Sequence, residues 1–301
     1  MGMNYIGVDI GGSGIKAALT DKSGTVLQTV KTPTPADNLK NLVSAVSTLV
    51  ERLQETAAVA GVGVGIAGLL DVRTRKIEAS PNIPCVNGVN LEQELHDALW
   101  LHVITENDAK AGAYGEWTSG AGKGLNNMAY VTIGTGLGCG LIFAGKPFRG
   151  TSGYAGELGH TVVEPGGRPC ACGSQGCLET RVSATGIVRT AREMNIAKDG
   201  TTAESLYEAA TKGDRAAQTI FEETGKYLGI ACSNLINLLN PEAIVVGGGV
   251  MASGELLLGA ARKETQRRAF PPSARDCAIV QSRLWPDAGA IGAAMLARDT
   301  A

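Results

Sequence analysis

Tyr5-Ile6-Gly7-Val8-Asp9-Ile10-Gly11-Gly12-Ser13-Gly14-Ile15-Lys16-Ala17-Ala18-Leu19-Thr20 reads as a strand, a tight glycine turn and a second strand. The pattern restarts far downstream. Met128 to Ile133 reads as a strand, Gly134-Thr135-Gly136 as a turn, Leu137 to Phe143 as a strand and Gly145-Lys146 as a hairpin turn. A strand–glycine turn–strand unit that occurs twice hints at an internal duplication. Outward from the first copy, Asp21-Lys22-Ser23-Gly24 is a turn, Thr25 to Lys31 a third strand, and Thr32-Pro33-Thr34-Pro35 ends the sheet. Asp37 is the expected N-cap of a helix reaching Leu53, in which Leu39, Leu42, Val43, Val46, Leu49 and Val50 follow helical spacing. Gly61 to Ala67 and His102 to Thr105 read as further strands, and Asn107 to Trp117 as a helix capped by Asn107 or Asp108. Beyond the second copy the chain is helical from Glu179 to Asn240-Pro241. A short strand, Ala243 to Val246, then leads into Gly247-Gly248-Gly249, and Gly289 to Arg298 forms an Ala-rich helix.

Composition narrows the function classes. With 44% apolar and 19% charged residues among 301, the chain buries a full core, and its length allows one large or two medium domains. Twenty-seven basic residues against 29 acidic ones leave a net charge of -2 with no cationic block, so no nucleic-acid partner is expected. No apolar run reaches the ~18 residues of a membrane span. The opening Met1-Gly2-Met3-Asn4 lacks the cationic and apolar regions of a signal peptide. A soluble cytoplasmic protein without a membrane partner is expected. Glycine, at 41 residues, is abundant but not periodic, and aromatics are only 4%, which suggests many places where backbone approaches something closely. No low-complexity linker divides the chain. Two lobes around a central cleft are therefore expected: 1–117, completed by the helix 289–301, and a larger 118–288.

Three strand-terminal glycine clusters carry a common chemistry. After Asp9, the run Gly11-Gly12-Ser13-Gly14 lets backbone N–H groups point outward into an anion-binding concavity. The Asp9 carboxylate can sit near a phosphate-bound Mg²⁺, usually through water. The segment matches neither G-x-x-x-x-G-K-[ST] nor a G-x-G-x-x-G that opens a helix, which disfavours P-loop and Rossmann sites. Gly134-Thr135-Gly136-Leu137-Gly138 repeats the turn and adds a hydroxyl donor, and Gly247-Gly248-Gly249 follows Ile244-Val245-Val246. Each alone is compatible with a close-packing turn; three together favour a bound nucleotide. Thr105-Glu106-Asn107-Asp108-Ala109 has two readings, as helix caps or as a general base, Asp108, with Asn107 holding a neighbouring hydroxyl. Of seven cysteines, Cys170, Cys172 and Cys177 crowd together after His160, and three thiolates with one imidazole form the closed Cys₃His set of a structural zinc site. Cys85, Cys139, Cys232 and Cys277 are scattered and read as core fillers, and His96 and His102 as surface or edge residues.

In order, Asp-x-Gly-Gly-Ser, Glu-Asn-Asp, Gly-Thr-Gly-x-Gly, Glu-x-Gly-His, Cys-x-Cys-Gly-x-x-Gly-Cys-x-Glu and Gly-Gly-Gly resemble the ROK (repressor, open reading frame, kinase) sugar kinases, from Tyr5 to Leu296. The resemblance implies an α/β, actin-like ATPase fold with two ribonuclease-H-like lobes, and ATP-dependent phosphorylation of a hexose at its 6-hydroxyl. It implies Asp9, Gly11, Gly12 and Ser13 as the first phosphate loop, Gly134, Thr135, Gly136 and Gly138 as the second, and Gly247, Gly248 and Gly249 on the adenosine side. Asp108 becomes the catalytic base, Asn82, Asn107, Asp108, Glu157, His160 and Glu179 the sugar ligands, and His160, Cys170, Cys172 and Cys177 the zinc ligands. ATP with Mg²⁺, structural Zn²⁺ and a homodimer, with a tetramer as the other option, are expected. The family's repressors carry an N-terminal helix-turn-helix, for which a first loop beginning at Asp9 leaves no room. Two departures matter. Ser13 stands where threonine is usual, and with Gly14 it resembles polyphosphate-using glucokinases, although those generally lack the cysteine signature. Ser80-Pro81-Asn82-Ile83-Pro84 is similar to the glucokinase branch, with N-acetylmannosamine kinase and fructokinase as alternatives and a non-catalytic sugar sensor as the rival from another class.

Overall fold

The computed structural model describes residues 3–301, the Ser253 side chain excepted. β1 (Asn4–Ile10) turns into antiparallel β2 (Gly14–Thr20), and β3 (Val26–Pro33) pairs with β2. After α1 (Leu39–Gln54) come β4 (Val59–Ile66), a short hairpin of β5 (Leu69–Leu70) and β6 (Ile77–Ala79), α2 (Leu91–Leu99), β7 (Val103–Asn107) and α3 (Asp108–Ser119). The sheet order is β3-β2-β1-β4-β7, with β4 parallel to β1 and to β7. Leu42, Val46, Leu49, Val50 and Leu53, one apolar stripe of α1, are buried in the same core as Ile6, Val8 and Ile10 of β1.

The second copy starts with β8 (Met128–Ile133), β9 (Leu137–Phe143) and β10 (Lys146–Pro147). α4 (Glu179–Val182), α5 (Ala184–Glu193), α6 (Ala203–Thr211) and α7 (Arg215–Leu239) follow, then β11 (Ala243–Gly247), α8 (Gly254–Arg268), α9 (Pro271–Asp276), β12 (Ala278–Gln281) and α10 (Ala288–Thr300). Its sheet order is β10-β9-β8-β11-β12, with β11 parallel to β8 and β12. Numbered from the start of each copy, both sheets run 3-2-1-4-5. The repeat seen in the sequence is thus a repeat of topology, the α/β, ribonuclease-H-like arrangement of the actin-like ATPase fold. Among the described residues no helix is long and apolar enough to cross a membrane.

Two compact units result, one of residues up to 126 with 140–156 and 283–301, the other of 127–139 and 157–282. The expected division at 117/118 is drawn differently, because 118–126, 140–156 and 283–288 group with the N-terminal residues. The 140–156 segment is tied there by Val72 N–H donating to Ser152 O (3.1 Å) and Arg149 Nε to Glu106 Oε2 (2.6 Å). Leu284 N–H donates likewise to the buried Glu116 carboxylate (2.9 Å). Such ties join residues far apart in sequence and leave no local signal.

Glycine abundance has a packing cause in the first unit. α10 is apolar on nearly all sides and buried from Ala288 to Ala297 except at Gly289. It lies directly on Gly7 and Gly63, register neighbours in β1 and β4: a Cβ there would sit 1.7 Å from Ala290 O and 1.8 Å from Ala293 O. Several local expectations shift. Asn38, not Asp37, caps α1, accepting from Asn41 N–H (3.1 Å). β3 continues to Pro33 and β7 to Asn107. The hairpin of β5 and β6, α2, α8 and β12 had no separate reading in the sequence. His96 and His102 bond to Leu101 O and Thr300 Oγ1, and lie outside the cysteine cluster. Cys139, Cys232 and Cys277 are buried, while Cys85 is half-buried.

Candidate functional site

In the first unit, β1 ends with Asp9 and Ile10, and the turn beyond is closed by Gly11 N–H donating to Gly14 O (3.0 Å). Thr34 braces it: its Oγ1 donates to Gly11 O (2.7 Å) and its N–H to Ser13 O (3.4 Å). Asn82 lies against this turn, since a Cβ on Gly12 would fall 2.8 Å from Asn82 Cβ. Across the strand pair Asp9 faces Lys16, whose Nζ donates to Pro286 O (2.7 Å) and Asp287 Oδ1 (3.0 Å). Gly289, in the first turn of α10, makes room for the Asp9 carboxylate; a Cβ there would lie 2.7 Å from Asp9 Oδ2. Withdrawal from water and the negative field of Asp108 push the Asp9 carboxyl up to about 7, with Lys16 opposing and Asp287 adding to the rise.

The Asn107-Asp108 pair resolves into two jobs. Asn107 is the cap of α3, its Oδ1 accepting from Lys110 N–H (3.1 Å), and its amide donates to Gly68 O (3.1 Å) and Asp108 Oδ1 (3.0 Å). Asp108 is the first helical residue, held by that amide rather than capping. Burial raises its carboxyl above the usual carboxylate range, against the lowering effect of backbone N–H groups, Lys110 and Asn107. Beside it, buried Glu106 pairs with Arg149 and accepts from Asn107 N–H (3.0 Å).

In the second unit, Gly134 N–H donates to Gly136 O (2.9 Å), which closes the second turn one residue sooner than the first. Here the bracing comes from downstream: Ala184 N–H donates to Gly134 O (2.8 Å), Thr185 Oγ1 to Thr135 O (3.2 Å), and Leu137 N–H to Glu179 Oε2 (2.8 Å). A Cβ on Gly134 would meet nothing within 4 Å. Of Gly247-Gly248-Gly249, only the last is similarly open. A Cβ on Gly247 would lie 2.6 Å from the Tyr130 hydroxyl, and one on Gly248, at φ 91°, 2.3 Å from Ile133 O. Two of these three glycines therefore have an architectural cause.

Glu157, exposed, precedes a single 3₁₀ turn, Leu158–His160, that presents His160. The donor atoms of His160, Cys170, Cys172 and Cys177 all lie within 4.8 Å of one another. Cys172 Sγ and Cys177 Sγ are 3.7 Å apart, and Cys170 Sγ is 3.7 Å from His160 Nδ1. Four-coordinate metal–sulfur bonds of about 2.3 Å place sulfurs about 3.8 Å apart, so the cluster fits one tetrahedral ion. Burial first, then the neighbouring sulfurs, push the Cys177 thiol up to about 12, while the backbone at Ser174 draws Cys172 down. A divalent cation offsets the charge of three thiolates packed this closely. The cluster's scaffold is local: Cys170 N–H donates to Ser174 O (2.9 Å), Gly176 N–H to Arg168 O (2.8 Å), and Leu178 N–H to Thr161 O (3.0 Å).

Asp9, the first turn, Asn82, Asn107 and Asp108 therefore belong to the first unit, and the second turn, Glu157, His160, Glu179, the cysteines and Gly247–Gly249 to the second. Sequence reasoning passed over Lys16, Asp287, Gly289 and Thr34. Lys16 alone left a signal, a cation inside an otherwise apolar strand directly after the turn.

The model of the ROK family matches residues 5–300. The chain is 36% identical to a glucokinase of Halalkalibacterium halodurans, over 98% of this chain and 94% of the relative. It is 33% identical to an N-acetylmannosamine kinase of Escherichia coli, over 98% of this chain and 99% of the relative. Among solved structures, a ROK family glucokinase from Streptomyces griseus in complex with glucose and AMPPNP matches with a TM-score of 0.89 at 36% identity, covering 98% of this chain and 99% of that one. With one family model spanning both copies of the repeat and the cysteine cluster within the second, this chain belongs to the ROK family.

Proposed function

We propose that this protein is an ATP-dependent hexose kinase that phosphorylates the 6-hydroxyl of glucose. The observation that carries the proposal is the Asp108 carboxylate at the start of α3, held by the Asn107 amide, in the same unit as Asp9 and the braced glycine turn it leads into. The glucose and AMPPNP bound by the Streptomyces griseus relative support the choice of substrates. Asp108 accepts the 6-hydroxyl proton as that oxygen bonds to the γ-phosphorus and the bond to the bridging oxygen of ADP breaks. A carboxyl raised by burial binds that proton more strongly than an exposed one. Asn107 fixes the acceptor: both amide hydrogens are engaged, so it meets a sugar hydroxyl only through Oδ1. Asn82, Glu157, His160 and Glu179 are the further sugar ligands in this proposal, and Gly249 offers open backbone on the adenosine side. Asp9 would hold a phosphate-bound Mg²⁺, which would supply charge neutralisation on the phosphates. Zinc is the proposed ion of His160, Cys170, Cys172 and Cys177, where it contributes folding free energy. A cytoplasmic homodimer completes the proposal.

Asp108→Asn tests the base. The amide keeps the shape and an acceptor oxygen but does not take the proton. A fall in kcat of at least about 10² with little change in Tm is expected. Near-normal turnover would return Asp108 to a structural part.

A further inference from the structure

The second glycine turn is held at Leu137 by two residues next to the metal-ligand cluster. Glu179, two residues after Cys177, accepts Leu137 N–H at 2.8 Å. Gly159, immediately before His160, packs on the carbonyl of the same residue: a Cβ there would lie 2.6 Å from Leu137 O. The chain leaving the cluster adds the bonds from Ala184 N–H to Gly134 O and from Thr185 Oγ1 to Thr135 O, and Ser183 Oγ donates back to Glu179 O (2.7 Å). Residues 134, 135 and 137 are thus all held by 159–185. Gly136 is glycine for the same reason, because a Cβ there would meet Glu179 Oε2 at 2.7 Å. The first turn, by contrast, takes its brace from Thr34 in the segment after β3.

We propose that Glu179 is a positioning residue for the nucleotide phosphates, and that the metal cluster sets nucleotide affinity through Glu179 and Gly159 as well as shaping the sugar side. This rests on the reading of Gly134–Gly138 as a phosphate loop. One carboxylate has two oxygens: Oε2 pins the turn, and Oε1 is left for a sugar hydroxyl. A charged acceptor on a loop N–H fixes the directions of the adjacent peptides, and a loop already fixed loses less entropy when the phosphates dock. A cluster that loosens Cys177 and His160 frees both grips together.

The test is calorimetric titration with Mg·AMPPNP in the absence of sugar, so that a purely sugar-binding role for Glu179 moves nothing. Metal content and Tm are recorded for every protein. Glu179→Ala is expected to weaken nucleotide binding about tenfold, and Glu179→Gln, which keeps an acceptor for Leu137 N–H, about threefold. Gly159→Ala pushes on the Leu137 carbonyl without touching a carboxylate, and a similar loss is expected with metal retained. Chelator-stripped wild type should lose affinity as well. Gly134→Ala tests the underlying reading, because its methyl meets nothing in the protein but crowds an arriving phosphate. Unchanged nucleotide affinity in Glu179→Ala and Gly159→Ala, alongside a loss in Gly134→Ala, overturns the strut while leaving the phosphate loop intact. Unchanged affinity in Gly134→Ala overturns the loop reading itself.

Discussion

The turns at Gly11–Gly14 and Gly134–Gly138 join the first two strands of sheets with the same order, yet their surroundings differ. The first has Asp9 two residues before its first glycine, where the second has Thr132, and stands beside Lys16, Asp287 and Asp108, so titratable groups crowd around it. The second is surrounded by braces: Glu179, Ala184, Thr185 and the close-packed Gly159. The repeat places a glycine turn at the same point of each sheet, and the side chains around the two turns differ. Charged groups gather at the first, and the chain next to the Cys₃His cluster braces the second.

The largest effect that sharpens this contrast comes from removing the scaffold's centre. Cys172→Ser, or exhaustive chelation of the wild type, should remove one metal per chain and lower Tm by about 10 °C, because a closed metal site contributes folding free energy. Elemental analysis with a melting curve reads both. Full stability after verified metal loss would make the two turns equally self-supporting.

A smaller effect concerns the first turn and has a definite sign. The Asp9 carboxyl is raised from its ordinary 3.8 to about 7, so between these values the folded protein holds a proton that the unfolded chain releases. Stability therefore falls as pH rises through that window and stays lower above it. Measured without Mg²⁺ or nucleotide, Asp9→Asn should match wild type in Tm near pH 4 and exceed it by a few degrees at pH 8, while losing activity. A constant Tm difference across that range would break the claim that charge crowds the first turn. The smallest change is Thr34→Val, which removes the donor to Gly11 O and should cost about 1 kcal/mol in denaturant unfolding. No cost would mean that the first turn needs no brace.

The same contrast explains what could be read from the chain. Residues 5–20 and 128–143 carried the fold, because glycine between two apolar strands is a local pattern and its recurrence implies a repeated sheet. The Cys₃His cluster was equally legible, since Cys170, Cys172 and Cys177 lie within eight residues and the loop closes on itself through backbone hydrogen bonds. Asn107 and Asp108 were legible as a pair but not in their roles, which depend on Gly68 O from another segment. Lys16 and Asp287 are 271 positions apart, and Glu179 reaches back 42 to Leu137; neither link leaves a periodicity. Gly247 and Gly248 have a packing cause that the sequence does not show, contact with Tyr130 and Ile133, which come from another segment.

The central claim is that a hexose accepts phosphate from ATP at this site. Coupled ADP release by the wild-type protein, with Mg²⁺ and a panel of glucose, N-acetylmannosamine, fructose and no sugar, tests it most directly. ADP should appear only with sugar and fastest with glucose, with glucose 6-phosphate as the product, and ATP should outperform polyphosphate as donor. Fastest turnover on N-acetylmannosamine or fructose would replace the substrate, and a protein that binds sugar but releases no ADP would contradict the kinase itself.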